Sequence, residues 1–194
     1  MTQEISMLQF ALAYAKLGWS VIPLKPREKT PLLTSWAQYQ RERASEEQIR
    51  AWWTKWPQAN IGIVTGEASG GLVVVDADGE EGKKFLEEKG IPLAPTVKTG
   101  KGYHYYFQHS GNKVRCAVRK YPGVDVRGEG GYVVAPPSVH PSGEQYVWEK
   151  SPWEIPPPPL PEWLLTPRDS EEVPESKEGK IDKNRKGILK SLID

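Results

Sequence analysis

One short stretch constrains the fold more than any other: residues 72–79, with the sequence LVVVDADG. Its run of apolar, mostly β-branched residues predicts a strand that is buried in a sheet. Asp76 and Asp78 lie two residues apart at the end of this strand, so both carboxylates face the same side of the sheet. Two like charges on one face repel each other, which raises one pKa unless a cation lies between them.

A divalent cation would remove that repulsion. Mg²⁺ and Mn²⁺ prefer oxygen ligands, and proteins often hold Mg²⁺ with one or two carboxylates together with substrate phosphates. The same spacing is also compatible with a plain turn that begins at Asp78 and Gly79. Sugar-nucleotide transferases use such a pair as well, so a metal site at Asp76 and Asp78 would not define a reaction.

Composition limits the class of protein. The chain has 194 residues, enough for one domain or for two small lobes that share a cleft. The formal net charge is +1, so a surface for nucleic acid must be local. Cys116 is the single cysteine, which excludes a disulfide framework and a cysteine-based zinc site. With no signal-peptide pattern and no membrane-length apolar run, we expect a cytoplasmic protein without a membrane partner.

The order of elements predicts a mixed α/β or α+β fold. A first helix, a short buried strand at residues 19–24 and a second helix from Ser45 come first. The second helix carries three tryptophans on one side, a spacing typical of a core face, although such rings can also stack on single-stranded bases. The strand at residues 72–76, a charged helix at residues 80–89 and a β-rich remainder follow.

The segment at residues 96–107, TVKTGKGYHYYF, joins a small basic turn to a histidine at the start of a strand. It lacks the spacing of a P-loop. Backbone N–H groups beside Lys98 and Lys101 could still form a phosphate cradle, with His104 next to it. The alternative is a glycine-rich hairpin that carries a surface histidine.

The segment at residues 123–143 places Asp125 within an apolar alternation, where an unpaired carboxylate is costly. Arg127 lies two residues further on and shares its face, so a simple ion pair on an exposed strand is the alternative to a functional site. Ser138 and His140 follow two prolines in a rigid loop.

Two stretches near the end lack core character. A proline-rich strap at residues 154–163 either packs over the fold or binds a domain that recognises polyproline. Residues 167–194 are predicted to be a linker or disordered tail, and their last residues resemble the beginning of a helix in a further region. Residues 1–166 are then the folded domain.

Taken together, these segments resemble the bifunctional DNA primase/polymerase N-terminal domain, from the prim-pol branch of the archaeo-eukaryotic primase superfamily. The matching landmarks run in family order across residues 14–164 and include WWTKWPQANIGIVTG, SGGLVVVDADG, TGKGYHYYF and GVDVRGEGGYVVAPPSVHPSG. The resemblance implies a catalytic core in which an α/β lobe packs on an RRM-like sheet, with the active site in the cleft between them.

The resemblance also implies residue roles. Asp76, Asp78 and Asp125 fall on the family's metal-binding carboxylates, which implies a site for two Mg²⁺ or Mn²⁺ ions, and we expect no zinc. His104 falls on the histidine that contacts the phosphates of the incoming nucleotide. Gly102 stands where the related S-x-H motif has its serine. The further candidates for nucleotide binding are Lys98, Lys101, Arg127 and Ser138.

The implied activity is template-dependent nucleotidyl transfer, by a DNA primase, a DNA polymerase or both, in replication, repair or defence of a prokaryotic mobile element or its host. The implied partners are NTP or dNTP, single-stranded or primed DNA, and a helicase domain in cis or in trans. DNA is expected to bind two local basic clusters: Lys25, Arg27 and Lys29, and Arg115, Arg119 and Lys120.

Two alternatives remain on the sequence alone. One is a catalytically silent module that binds single-stranded DNA or nucleotide. The other is a sugar transferase, which would leave His104 and the Asp125 segment unexplained.

Overall fold

The computed structural model describes residues 5–165, and the predicted tail at residues 167–194 lies outside the described residues. The helices are α1 (Met7–Lys16), α2 (Glu46–Lys55) and α3 (Gly79–Lys89). The strands are β1 (Ser20–Leu24), β2 (Asn60–Val64), β3 (Leu72–Asp78), β4 (Thr96–Lys98), β5 (Gly102–Gln108), β6 (Ala117–Tyr121), β7 (Val124–Arg127), β8 (Tyr132–Ala135) and β9 (Val147–Lys150).

The strands form two antiparallel sheets. A three-stranded sheet has the order β1-β2-β8, and a six-stranded sheet has the order β6-β7-β3-β5-β4-β9. We call the three-stranded sheet with α1 and α2 the small lobe, and the six-stranded sheet with α3 the large lobe. The mixed α+β fold predicted from the sequence is confirmed.

Strand β3 separates two hydrophobic cores. Leu72 and Val74 pack into a core shared with the small lobe, where α1 and α2 cover the three-stranded sheet. Val73 and Val75 point to the opposite face, where Leu86 of α3 closes a second core. Because both faces of β3 are covered, its sequence is a continuous apolar run rather than an alternation.

Helix α2 supports the small lobe as its pattern predicts. Ser45 caps the helix by accepting a hydrogen bond from the backbone N–H of Gln48 at 3.1 Å. Ile49, Trp52 and Trp53 are buried in the first core. Trp52 and Trp53 are therefore core residues rather than a surface for stacking bases, and Trp56 packs half-buried against the same core.

The proline-rich strap at residues 154–163 packs over the fold, which is the first of the two alternatives that its sequence allowed. The backbone N–H of Gln108 donates to Pro158 at 2.9 Å, and that of Leu160 donates to Gln108 at 2.9 Å. Leu160 and Leu164 are buried in the second core. The strap therefore pairs with the end of β5 and covers the second core of the large lobe.

Strand β6 was not predicted. No residue of its sequence AVRKY is fully buried, and its pairing with β7 is interrupted by a bulge between Ala117 and Tyr121. Short, charged and bulged strands are typical of sheet edges, where burial imposes no alternation.

Candidate active site

Three polar residues stand side by side across the middle of the large lobe. In the register of the sheet, Asp76 on β3 lies opposite His104 on β5 and opposite Asp125 on β7. Residues directly opposite each other on antiparallel strands point to the same face, with Cβ atoms about 4.5–5.5 Å apart. The sheet therefore assembles a row, Asp125–Asp76–His104, from residues that are far apart in sequence.

The row faces the small lobe. Leu72 and Val74 lie on the same face of β3 and are buried in the core between the lobes. Asp76 is the next residue on this face, at the point where that core ends and a cavity of about 400 Å³ begins. The cavity is lined by Asp76, His104 and Arg127 from the large lobe, by residues 130–134 around β8, and by Lys29, Cys116 and Tyr146. Its volume is within the range of small-ligand sites.

His104 is the most enclosed member of the row. It is only 7% exposed, and its Nε2 lies 3.6 Å from Oδ1 of Asp76. Its other ring nitrogen, Nδ1, is buried without a hydrogen-bond partner in the described part of the chain. Burial lowers the pKa of His104, against the opposing effect of Asp76, so the imidazole is neutral at neutral pH. The predicted hairpin is present, but its histidine is buried and is not a surface group.

Asp125 is held by two donors. Its Oδ1 accepts the backbone N–H of Arg119 at 2.7 Å, and its Oδ2 accepts a guanidinium N–H of Arg127 at 3.0 Å. The Asp125–Arg127 ion pair considered as the alternative is therefore present. It lies beside Asp76 and is partly buried, not on an exposed strand.

Asp78 ends β3 and precedes α3. Its carboxylate is exposed and does not cap the helix. Asp78 and Asp125 line a second cavity of about 780 Å³, together with Val118, Arg119 and the turn that leads into β7. This cavity lies toward the end of β3, beyond Asp76, so the acidic residues separate two cavities.

Three of the predicted nucleotide contacts are placed away from the row. Lys98 pairs with Tyr103 in the register of the sheet, so its side chain lies on the face covered by α3. Ser138 is fully buried, and its hydroxyl accepts the backbone N–H of Ile61 at 2.8 Å. Lys101 is exposed in the turn before β5 and lines a different cavity. Of the three cations predicted to bind nucleotide, the structure brings only Arg127 to the row.

Gly102 has a structural reason to depart from the S-x-H pattern. A Cβ at this position would lie 1.9 Å from the carbonyl oxygen of Ala77 and 2.9 Å from the nitrogen of Gly79. Strands β3 and β5 therefore approach too closely for serine. The hydroxyl of Thr99 is not a substitute, because it accepts the N–H groups of Lys101 and Gly102 within the turn.

Lys29, one of the residues predicted to bind DNA, lines the same cavity as Asp76 and His104. It lies in the loop after β1. The sequence contained only a weak signal for it, a basic loop with no spacing relation to the aspartates.

The comparison with protein families decides what kind of domain carries this site. The family model described as bifunctional DNA primase/polymerase, N-terminal, matches residues 11–163, which include both sheets, α2, α3 and the whole row. The chain belongs to this family. A search of curated proteins found no match.

Membership in the bifunctional primase/polymerase family indicates nucleotidyl transfer on DNA, with nucleotides as substrates and divalent metals in general use. Within residues 5–165, no helix is both long and apolar enough to cross a membrane.

The residues of this primase/polymerase domain fit a divalent cation in their donor chemistry. Asp76, Asp78 and Asp125 offer carboxylate oxygens near one another, as Mg²⁺ and Mn²⁺ prefer. Among residues 5–165, however, no three aspartate, glutamate, histidine or cysteine side chains lie close enough together to bind one metal ion by themselves. This arrangement suits ions that one or two carboxylates hold together with substrate phosphates.

Proposed function

We propose that this domain adds nucleotides to a DNA 3′-hydroxyl, opposite a template, in the cleft between its two lobes. The observation that carries the proposal is the row Asp125–Asp76–His104, which the sheet register sets beside a cavity of about 400 Å³. The cavity receives the incoming nucleotide, with the Asp76 carboxylate in its lining and Asp125 beside it in the sheet.

Asp76, Asp78 and Asp125 are the residues that would hold the two divalent cations. When bound, such ions offset the charge of the triphosphate and of the oxygens that enter and leave during transfer. Arg127 keeps the Asp125 carboxylate in place by its hydrogen bond at 3.0 Å, and its guanidinium also lines the cavity. The arginine thus orients one ligand of the cations while it contributes positive charge.

His104 contacts the phosphates as a neutral hydrogen-bonding group. Its Nδ1 is buried and unpartnered in the described residues, and a buried polar atom left without a partner costs about 1–3 kcal/mol. A turn of the ring that brings this nitrogen to the cavity, where it donates to a bound phosphate, would remove that cost. Burial lowers the pKa of the ring, so this contact does not require a charged histidine at neutral pH.

The acceptor strand enters from the second cavity, beside Asp78 and Asp125. In phosphoryl transfer the attacking and leaving oxygens lie roughly in line. The 3′-hydroxyl and the departing pyrophosphate therefore occupy opposite sides of the reacting phosphate. With the nucleotide in the cavity at His104, the acceptor lies on the other side of the acidic residues.

The decisive experiment compares the wild type with the double variant Asp76→Asn, Asp78→Asn. Labelled nucleotides, a primed single-stranded template and Mg²⁺ or Mn²⁺ should give extension in the wild type and a loss of about 10³-fold or more in the variant. Folding and template binding should persist. Glu80→Gln is the matched control, since Glu80 is exposed in the first turn of α3 and lies outside the row. Near-normal extension by the double variant would contradict the mechanism.

A catalytically silent module that binds single-stranded DNA is the second candidate. The Asp125–Arg127 ion pair favours it, because this pair gives Asp125 a structural role without any metal. Template binding by a wild type that makes no product with either metal would select this alternative. A helicase partner and a role on a mobile element stay predictions.

A further inference from the structure

The cavity beside the row holds a cation that no carboxylate neutralises. Arg127 is ion-paired with Asp125 at 3.0 Å. Lys29 lines the same cavity and has no ion-pair partner among residues 5–165. Lys29 thus supplies the cavity with a cation that forms no ion pair, although the Asp76 carboxylate lines the same cavity. A cation that no carboxylate pairs with is available to bind an anionic ligand.

The positive charge of Lys29 affects two histidines near the cavity. It contributes to lowering the pKa of both His104 and His140, for which burial is the first cause. Both rings pack near Tyr146, with centroid distances of 6.1 Å for His104 and 5.9 Å for His140. Lys29 therefore lies within electrostatic range of His104, which lines the same cavity and is in turn close to Asp76.

The backbone around Lys29 is fixed to the small lobe. The hydroxyl of Tyr132 donates to the carbonyl oxygen of Lys29 at 2.8 Å. The side-chain amide of Asn60 donates to the carbonyl oxygen of Glu28 at 3.0 Å and to that of Val139 at 2.8 Å. These bonds do not involve the lysine side chain, so the loop keeps its place when that side chain is replaced.

We propose that Lys29 binds the terminal phosphates of the incoming nucleotide. The inference rests on the proposed function and names a residue for which the family resemblance gave no role. It also removes Lys29 from the cluster expected to bind template DNA. Because Lys29 belongs to the small lobe and Asp76 to the large lobe, the bound triphosphate joins the two lobes across the cleft.

The test compares the affinities of dNTP and dNMP in Mg²⁺ for the wild type, Lys29→Ala and Lys29→Arg. Lys29→Ala should weaken dNTP binding about 10- to 100-fold, the range expected for a lost hydrogen bond to a charged group. Its dNMP affinity should change by less than about twofold, because dNMP lacks the terminal phosphates, and Lys29→Arg should restore most of the dNTP affinity. Lys84→Ala, on the exposed side of α3, is the matched control for loss of one positive charge.

Template affinity and melting temperature complete the experiment. Both should be unchanged in Lys29→Ala, because the lysine is exposed and its loop is held through backbone atoms. Unchanged dNTP affinity in Lys29→Ala overturns the inference, and a loss confined to template DNA returns Lys29 to the DNA-binding cluster. If dNTP binding depends on Lys29 but the wild type makes no product, the inference about Lys29 holds and only the proposed function is contradicted.

Discussion

The large lobe contributes Asp76, His104 and Asp125 to the site from three neighbouring strands, whereas the small lobe contributes Lys29 from a loop. In the large lobe, the hydrogen-bond register fixes which side chains stand beside each other. In the small lobe, no strand periodicity places Lys29. Its position depends on hydrogen bonds that join its loop to Tyr132 and Asn60.

The difference shows that one cleft combines side chains positioned by strand register with a side chain positioned by a loop. Shifting the register of a strand by one residue would turn all its side chains to the other face, so the acidic row is strongly specified by core residues such as Val73 and Val74. A loop cation has no such constraint, and its reach adapts more readily to a substrate. Substitutions in the row should therefore change catalysis, and substitutions that disturb the strand register should change folding. A substitution of an exposed residue on the opposite face of the sheet should change neither.

Among single substitutions, the largest effect on catalysis is expected for Asp125→Asn. If the Asp125 carboxylate helps to hold the divalent cations, primer extension should fall about 10²- to 10³-fold. Stability should change little, because asparagine still accepts the N–H of Arg119 and the repulsion from Asp76 is relieved. Single-turnover extension and thermal melting measure the two effects. Normal extension with a lower melting temperature would make Asp125 only the partner of Arg127.

Gly102→Ala tests the register itself. The added Cβ would meet the backbone of Ala77, so strands β3 and β5 must separate, at a cost of about 3 kcal/mol in the free energy of unfolding. Gly79→Ala is the control: its φ of 63° is unfavourable for alanine, but no atom lies within 4 Å of the added Cβ. This control should cost only about 1 kcal/mol. Urea unfolding measures both, and equal losses would mean that close strand approach is unimportant.

His104→Ala should give an intermediate effect. Loss of the phosphate contact should raise the KM for nucleotide or lower kcat by about 10- to 100-fold, while the affinity for single-stranded template stays unchanged. His104→Asn keeps a hydrogen-bonding group on the same face of β5 and should recover part of the loss. Steady-state kinetics with varied nucleotide provide the measurement. Wild-type kinetics in His104→Ala would leave the histidine as a core residue that packs near Tyr146.

The smallest effect is expected for Lys98→Ala. The lysine stands opposite Tyr103 on the face of the sheet covered by α3. Its removal should change the KM for nucleotide by less than about twofold, in contrast to Lys29→Ala. A rise in KM of the size expected for Lys29→Ala would show that nucleotide also contacts the face covered by α3. The proposal that nucleotide binds only in the cleft between the lobes would then be wrong.

The sequence by itself determined the parts that depend on local periodicity. The two-residue repeat of a strand predicts that Asp76 and Asp78 share a face, and the same repeat relates Asp125 to Arg127. Helix α2 follows in the same way from its cap at Ser45 and its spaced tryptophans. In each case the deciding interactions lie within a few residues of the chain.

Only the tertiary structure decided which of these groups meet. Lys98 and His104 belong to one hairpin, yet the register set by the turn between them places them on opposite faces. Ser138 is buried against β2, and Lys29 reaches the cavity of Asp76 from another lobe. These placements depend on strand pairing and loop closure between residues far apart in the chain, and no local pattern records such contacts.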